Sequence, residues 1–451
     1  MRVRLLGVRS LMQAYTVREW DKLTYGDGVG QIPEKFADQL AAIALRSPFA
    51  GKGGGGVLEH GRHALRARGV VGILASKDCS LEILPKIDVA SGETVDCQNA
   101  AIRRRLIHML AVALDLKIDL GSITDLAWQR ETLLEILIRI FCDKLTEAVR
   151  KGMPRRYVEQ EEDLSALRGR LDVARQFTRH AVNPSRLACR FDVLSEDTAL
   201  NHVMKAAVRH LSRISRSSAN QQRLRELAFV YADIADVEPS ALRWGELVMD
   251  RTNRRWQELL AMARLFLSNR FQTTTGGAGQ GTALLFEMNA LFEEYVGRLI
   301  SRTLSGTDLT VSLQGGRLFC LTTDANGRGL FQTKPDILIR RAGVVTHVID
   351  TKWKRISSRI DDPKQGISQS DVYQMMAYAQ LYSAPRLTLL YPHHPGLGDD
   401  DFIHARHRIT GHDTILETAS IDVANGKNVL ERIRRLLLAD PPGQAAVSEL
   451  T

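Results

Sequence analysis

Three charged residues interrupt two aliphatic segments in "TKPDILIRRAGVVTHVIDTKWKRI", which spans residues 333–356. Asp336 stands at the start of the first segment, and Asp350 and Lys352 stand at the end of the second. Side chains alternate between the two faces of a strand, so Asp350 and Lys352 are predicted to project to the same side. A tight turn near Ala342 would fold Asp336 back beside them. Because charged groups in buried strands are costly unless they are paired or bind a metal, we expect these three side chains to converge.

Such a convergence suits the hydrolysis of a phosphodiester bond. Two carboxylates can hold Mg²⁺ through oxygen ligands, and the ion can polarise the phosphodiester and activate a water molecule. A neighbouring lysine can orient the water or stabilise the charge that develops. The alternative is an ordinary surface ion pair, which is the usual state of charged residues.

The order of Pro335 and Asp336, a gap, and then Asp350 and Lys352 resembles the signature of the PD-(D/E)xK nuclease superfamily. The resemblance implies a restriction-endonuclease-like α/β/α domain. It also implies that Asp336 and Asp350 are metal ligands and that Lys352 is the catalytic lysine.

A helix is predicted after the two strands, over "SDVYQMMAYAQLYS". Gln374 and Tyr378 are one turn apart and therefore share a face. They resemble the Q-x-x-x-Y motif that accompanies the active site in nucleases of the RecB-like branch, which makes Gln374 a candidate catalytic residue. Tyr378 also suits a core position in an amphipathic helix.

A second helix is predicted before the strands, over "LLFEMNALFEEYVGRLISRTL", residues 284–304. Its apolar residues, beginning with Leu284, line one face. Glu287 and Glu293 lie at the flanks of this stripe, and Glu294 follows. Glu293 is the candidate third metal ligand and catalytic residue, but the sequence leaves open which of the three glutamates faces the metal. A solvated helix flank is the alternative reading.

Composition indicates a globular chain with more than one domain. Its 451 residues exceed the size of an ordinary single core, and 44% of them are hydrophobic. The five cysteines are scattered, without the spacing of a zinc site, which favours a reducing cytoplasm. The sequence shows no signal-peptide pattern and no apolar run long enough for a membrane span. The net charge of +9 favours a polyanionic partner such as nucleic acid.

We expect a multidomain α/β protein with three domains. Residues 1–95 are predicted to form a strand-rich, mixed α/β domain, and residues 96–275 a mainly helical domain. Residues 276–451 are predicted to form the nuclease domain. The glycine- and threonine-rich stretch 272–282 has the composition of a linker, which sets the second boundary.

Local patterns support this division. "VVGILAS" and "CSLEILPKI" predict a β-hairpin over residues 70–87. The glycine-rich segment 51–56 lacks the Walker spacing and reads as a flexible loop. Apolar residues at helical spacing predict helices over 102–116, 130–152 and 195–214, the last capped by Ser195 or Asp197.

Several further polar residues are candidates for contacts with DNA, a partner or a metal, with solvated surface positions as the alternative. His393 and His394 suggest a metal site with Asp399–Asp401, but a polar loop is the favoured reading. The basic candidates are Lys354, Arg355, Arg359, Arg103–Arg105, Arg155, Arg156, Arg168 and Arg170.

A series of segments resembles the McrC family, the nuclease subunit of the McrBC modified-cytosine restriction system. In order along the chain they are "LEILPKID", "LRGRLDV", "FDVLSEDTALNHVMKAAV", "FEMNALFEEYVGRLI", "TKPDILI", "IDTKWK" and "DVYQMMAYAQLY". The resemblance covers most of the chain. It implies a Mg²⁺-dependent type IV restriction endonuclease subunit that serves a McrB-like, ring-forming AAA+ GTPase, with the 5-methylcytosine read by that partner.

The resemblance also implies that residues 1–95 dock on the GTPase ring and stimulate GTP hydrolysis, and we expect them to be dispensable for the nuclease fold. Two other functions remain open. One is a stand-alone DNA repair nuclease or resolvase, and the other is a non-cleaving DNA-binding adaptor of a AAA+ motor.

Overall fold

A computed structural model describes residues 13–51, 55–87, 94–116, 131–182, 185–251, 253–267, 271–274, 281–356, 367–397, 402–423 and 429–438. Packing divides the chain into two compact units. The first unit comprises Met1–Leu133 and Thr273–Thr451, and the second comprises Leu134–Gln272. The three-domain division stays a prediction. Arg359, Asp399–Asp401 and the centre of the glycine-rich loop lie outside the described residues.

The described helices are α1 (Glu34–Ala44), α2 (Val95–Ala113), α3 (Leu133–Arg150), α4 (Val173–Arg179), α5 (Ala199–Ile214), α6 (Ser218–Val230), α7 (Gln257–Leu267), α8 (Met288–Thr303), α9 (Gln369–Tyr382) and α10 (Val429–Leu438). In the part of the chain that the structure describes, no helix has both the length and the apolar character needed to cross a membrane.

The described strands are β1 (Gln13–Arg18), β2 (Lys22–Thr24), β3 (Leu58–His60), β4 (Ala64–Ala67), β5 (Val70–Ser76), β6 (Cys79–Leu84), β7 (Arg156–Leu164), β8 (Arg170–Leu171), β9 (Leu187–Ser195), β10 (Phe271–Thr274), β11 (Gly281–Glu287), β12 (Leu309–Leu313), β13 (Phe319–Thr322), β14 (Gly329–Gln332), β15 (Ile337–Arg341), β16 (Val344–Thr351), β17 (Arg386–Pro392), β18 (Ile403–Arg408) and β19 (Ile415–Ile421).

One sheet joins three N-terminal strands to two strands from the second half of the chain. Its order is β1-β6-β5-β11-β10. β5 and β6 form the predicted antiparallel hairpin, and β11 pairs antiparallel with β5. Ala283 and Leu285 of β11 belong to the same apolar core as Val17 and Leu81. The expectation that residues 1–95 are dispensable for the fold of the C-terminal region is therefore not supported.

The helix predicted over 284–304 begins later than expected. Leu284 lies in β11, and the helix α8 starts at Met288. Residues 282–286 are all buried, as in a central strand. A short, continuous apolar run of this kind fits a buried strand as well as a helix, which explains the error.

The second sheet of this unit has the order β12-β15-β16-β17-β19-β18. β15 and β16 form the predicted antiparallel hairpin, and its turn residues Ala342 and Gly343 have φ of 50° and 85°. Positive φ at both positions is typical of a tight two-residue hairpin turn. The chain then passes through α9 to β17, which pairs parallel with β16. Met375 and Tyr378 of α9 pack in one core with residues of β15, β16 and β17.

The second unit contains helices α4 to α7, most of α3, and a sheet that the sequence did not predict. This sheet has the order β7-β9-β8, and β9 pairs antiparallel with both neighbours. β7 reads "RYVEQEEDL" and is largely exposed, so its charged residues hide the alternation that identifies a strand. The predicted cap of α5 is also wrong: Thr198 is the N-cap, and its side chain accepts a hydrogen bond from Asn201 N.

Candidate active site

The hairpin of β15 and β16 brings the predicted carboxylates together. Ile337 pairs with Ile349, so Asp336 and Asp350 lie at the same end of the two strands. Asp336 Oδ2 accepts hydrogen bonds from Thr351 N at 2.7 Å and from Thr351 Oγ1 at 2.8 Å. These two bonds fix the Asp336 carboxylate against the end of β16.

Asp350 is a buried carboxylate with a charged partner. Its side chain is 1% exposed, and Lys352 Nζ forms an ion pair with its Oδ2. Burial, followed by the negative charge of Asp336, raises the pKa of Asp350 to about 6, and the charge and hydrogen bond of Lys352 oppose this rise.

Gln374 connects the lysine to the acid. Its Oε1 accepts a hydrogen bond from Lys352 Nζ at 3.1 Å, and its Nε2 donates to Asp350 Oδ1 at 3.1 Å. The same Nε2 donates to the Tyr378 hydroxyl at 2.8 Å. Helix α9 presents both side chains, as predicted, and its N-cap Ser368 accepts from Asp371 N. Tyr378 is also buried, so it is both a core residue and a partner of Gln374.

Glu293 is the glutamate of α8 that interacts with the two aspartates. Burial, followed by the negative charge of Asp336, raises its pKa to about 7, and Asp350 adds to this rise. A hydrogen bond with the Gln314 side chain opposes it. Glu287 instead is exposed, directly precedes α8 and lines a separate cleft with Trp20. The structure thus favours Glu293 over Glu287 as the acid beside Asp336.

The donor set of this cluster fits a hard cation. Within the described ranges, no group of three or more His, Cys, Asp or Glu side chains is arranged so that it could hold a metal ion. Glu293 and Asp350 nevertheless have raised pKa values in part because of the Asp336 charge. A divalent cation with oxygen ligands would offset this repulsion. Carboxylate oxygens are donors of the type that Mg²⁺ prefers.

Of the basic residues that follow β16, Lys354 is less available to phosphate than predicted. Lys354 Nζ forms an ion pair with Asp371, donates to Ser368 Oγ at 3.3 Å and lies over the Tyr391 ring. Arg355 is exposed.

The two histidines fit the polar-loop reading. His394 Nε2 is hydrogen-bonded with Ile356 O at 2.9 Å, and His393 Nδ1 is hydrogen-bonded with Ser420 Oγ at 3.0 Å. Their other predicted partners, Asp399–Asp401, lie outside the described residues.

Several arginines predicted on a DNA- or partner-facing surface have partners within the chain. Arg103 is buried and forms an ion pair with Glu82 at 2.7 Å, so it does not face a partner. The Glu82 carboxylate is buried in β6, and a buried charge is costly unless it is paired with an opposite charge. The exposed Arg155 and Arg170 pair with Glu196 and Glu159, and Arg168 lies over the Phe191 ring.

Comparison with known proteins identifies the family. A model described as "McrBC 5-methylcytosine restriction system component" matches residues 65–392, which is more than half of the chain. The chain belongs to this family. The predicted resemblance to McrC is thereby confirmed.

Three matches among proteins of the McrBC system are distant in sequence from this chain. The Type IV methyl-directed restriction enzyme EcoKMcrBC of Escherichia coli (strain K12) is 22% identical over 334 residues, which is 70% of this chain and 92% of that protein. A refined half-complex from a tetradecameric assembly of Thermococcus gammatolerans McrB AAA+ hexamers with bound McrC matches with a TM-score of 0.70 and 21% identity. The match covers 94% of this chain and 99% of that chain. A cryo-EM structure of the McrBC complex from the same organism matches with a TM-score of 0.51 and 25% identity, over 65% of this chain and 88% of that chain.

Proposed function

We propose that this chain is the Mg²⁺-dependent DNA endonuclease subunit of a GTP-driven modified-cytosine restriction system. The observation that carries the proposal is the connected set at the ends of β15 and β16. Asp350, Lys352 and Gln374 contact one another there, and Asp336 is held beside them by Thr351. The order of these residues along the chain matches the PD-(D/E)xK pattern.

The residues have separate tasks in this proposal. Asp336, Asp350 and Glu293 supply oxygen ligands for Mg²⁺, which when bound polarises the phosphodiester and activates water. Lys352 places a positive charge where negative charge develops on the phosphate. Gln374 accepts a hydrogen bond from Lys352 and donates one to Asp350, so it orients both groups. Thr351 prevents the Asp336 carboxylate from rotating away.

The proposal includes a McrB-like AAA+ GTPase as partner. The Thermococcus gammatolerans assembly contains McrB AAA+ hexamers with bound McrC, and this chain shares the fold of one chain of that assembly. In our proposal the partner reads the modified cytosine and hydrolyses GTP, the N-terminal region docks on it and stimulates hydrolysis, and this chain cuts. The five cysteines are free thiols, which fits a cytoplasmic complex.

Cleavage of a 5-methylcytosine-containing plasmid by the chain and its AAA+ partner tests the proposal. We expect strand cleavage only when modified DNA, partner, GTP and Mg²⁺ are all present. Cleavage of unmodified DNA by the chain alone would instead identify a stand-alone nuclease. GTPase stimulation without any cleavage would identify a non-cleaving adaptor.

A further inference from the structure

A cleft of about 260 Å³ opens beside the catalytic strand within the first unit. Trp353, which directly follows Lys352, forms part of its wall, together with Glu19 and Trp20 from the N-terminal region. Ile87, Pro392 and Val423 add apolar surface. A concave, largely apolar site with a few polar groups is the usual form of a ligand pocket.

Trp353 is a rigid wall of this cleft. Its Nε1 donates a hydrogen bond to Glu19 Oε1 at 2.5 Å, and its ring lies 5.3 Å, centroid to centroid, from that of Phe292. Phe292 directly precedes Glu293 in the chain, as Lys352 directly precedes Trp353. An indole held on two sides loses little freedom when a flat ligand stacks on it.

Glu19 brings an unused acceptor to the cleft. The residue is 1% exposed, and its Oε1 accepts a second hydrogen bond from Lys86 N at 3.0 Å. Its Oε2 is buried and accepts no hydrogen bond from any described residue. Since a buried carboxylate oxygen without a donor is costly, an N–H group of a ligand would stabilise it.

Cationic side chains border the same cleft. Lys86 pairs with Asp21 at 3.4 Å, but both side chains are more than 40% exposed, so the pair is weak and easily exchanged. Arg355 also lines the cleft and is exposed. Aromatic walls, a carboxylate acceptor and nearby cations correspond to the three parts of a nucleotide: the flat base, its exocyclic amino group and its phosphate.

We propose that this cleft binds one unstacked nucleotide of the DNA strand, with an amino-bearing base against Trp353 and Glu19. The proposal rests on the nuclease function, because that function supplies the DNA strand and Trp353 directly follows Lys352 in the chain. Cytosine and adenine present an exocyclic amino group, whereas thymine does not.

The test measures binding of fluorescein-labelled (dC)₆ and (dT)₆ to the full chain by fluorescence anisotropy in EDTA, where no cleavage occurs. Trp20→Gly removes a ring that is 44% exposed, and it suits the backbone because Trp20 has φ of 66°. We expect it to weaken binding of both oligonucleotides roughly tenfold. Glu19→Gln should weaken binding of (dC)₆ and leave (dT)₆ unchanged. Trp244→Ala, in the second unit, is the matched control and should bind both like wild type.

Wild-type binding of both oligonucleotides by Trp20→Gly and Glu19→Gln would overturn the proposal. Arg355→Ala, at an exposed position, should also weaken both and does not depend on core packing. If dCMP binds the cleft but (dC)₆ cannot displace it, the cleft takes a free nucleotide and not a DNA strand. If the variants bind both oligonucleotides normally but no longer bind the AAA+ partner, the cleft is part of a protein–protein interface. Binding is measured without metal, so the two proposals can fail separately. A chain that binds the oligonucleotides in this cleft but never cleaves DNA would support the nucleotide-binding proposal and refute the nuclease proposal.

Discussion

Asp350→Asn should remove a pH-dependent destabilisation of the metal-free chain. The pKa of Asp350 is raised from 3.8 to about 6 by burial and by the Asp336 charge. The folded chain therefore holds this proton more tightly than the unfolded chain, and stability is lost as the pH rises through this window. Relative to a pH below both pKa values, the shift lowers the free energy of unfolding by roughly 3 kcal/mol at pH 8. About half of this loss is already present at pH 5.

The asparagine variant lacks this titration, so the difference in stability between variant and wild type should move in favour of the variant by roughly 1 kcal/mol from pH 5 to pH 8. Calorimetric thermal unfolding in EDTA measures it, as a relative change in midpoint of roughly 1 °C. Thr346→Val, on the same strand, changes no titratable group and is the control. A difference between Asp350→Asn and wild type that is constant with pH would refute the reasoning.

Three further predictions follow from the same contacts. Gln374→Ala removes the hydrogen bond that Gln374 donates to Asp350 and the one that it accepts from Lys352. The rate of DNA cleavage should therefore fall by about 10- to 100-fold, while the helix content measured by circular dichroism stays unchanged. An unaltered cleavage rate would contradict this. Arg103→Ala leaves Glu82 buried without a cation and should lower the free energy of unfolding by about 3–5 kcal/mol, measured by urea denaturation, and a loss below 1 kcal/mol would show that the pair is replaceable. A fragment of residues 276–451 exposes the apolar edge of β11 and should aggregate in size-exclusion chromatography, whereas a monodisperse, cooperatively unfolding fragment would show that the N-terminal strands are dispensable.

The core of the candidate site could be predicted because it depends on local patterns. Alternation along β16 places Asp350 and Lys352 on one side, and the short turn returns β15 beside it. The spacing of Gln374 and Tyr378 requires only a helix. Each of these inferences uses residues within about sixteen positions of one another, a span over which local backbone geometry follows from the sequence itself.

Contacts between distant segments could not be predicted. Glu19 and Trp353 are hydrogen-bonded although they are more than 300 residues apart in the chain. No local pattern in either segment predicts this contact. The strand β11 looked helical because only its pairing with β5 distinguishes a buried strand from a buried helix. The choice of Glu293 over Glu287 likewise depends on where α8 begins, which follows from that strand.

The central claim is that Asp350 and Lys352 carry out DNA cleavage. Single-turnover cleavage of modified plasmid by the reconstituted complex, with GTP and Mg²⁺, tests it with Asp350→Ala and Lys352→Ala. Arg341→Ala, at an exposed residue that pairs with Asp308, is the control. Both active-site variants should still fold and bind the AAA+ partner but cleave at least about a hundredfold more slowly, while the control cleaves normally. Cleavage at the wild-type rate by either active-site variant would contradict the account.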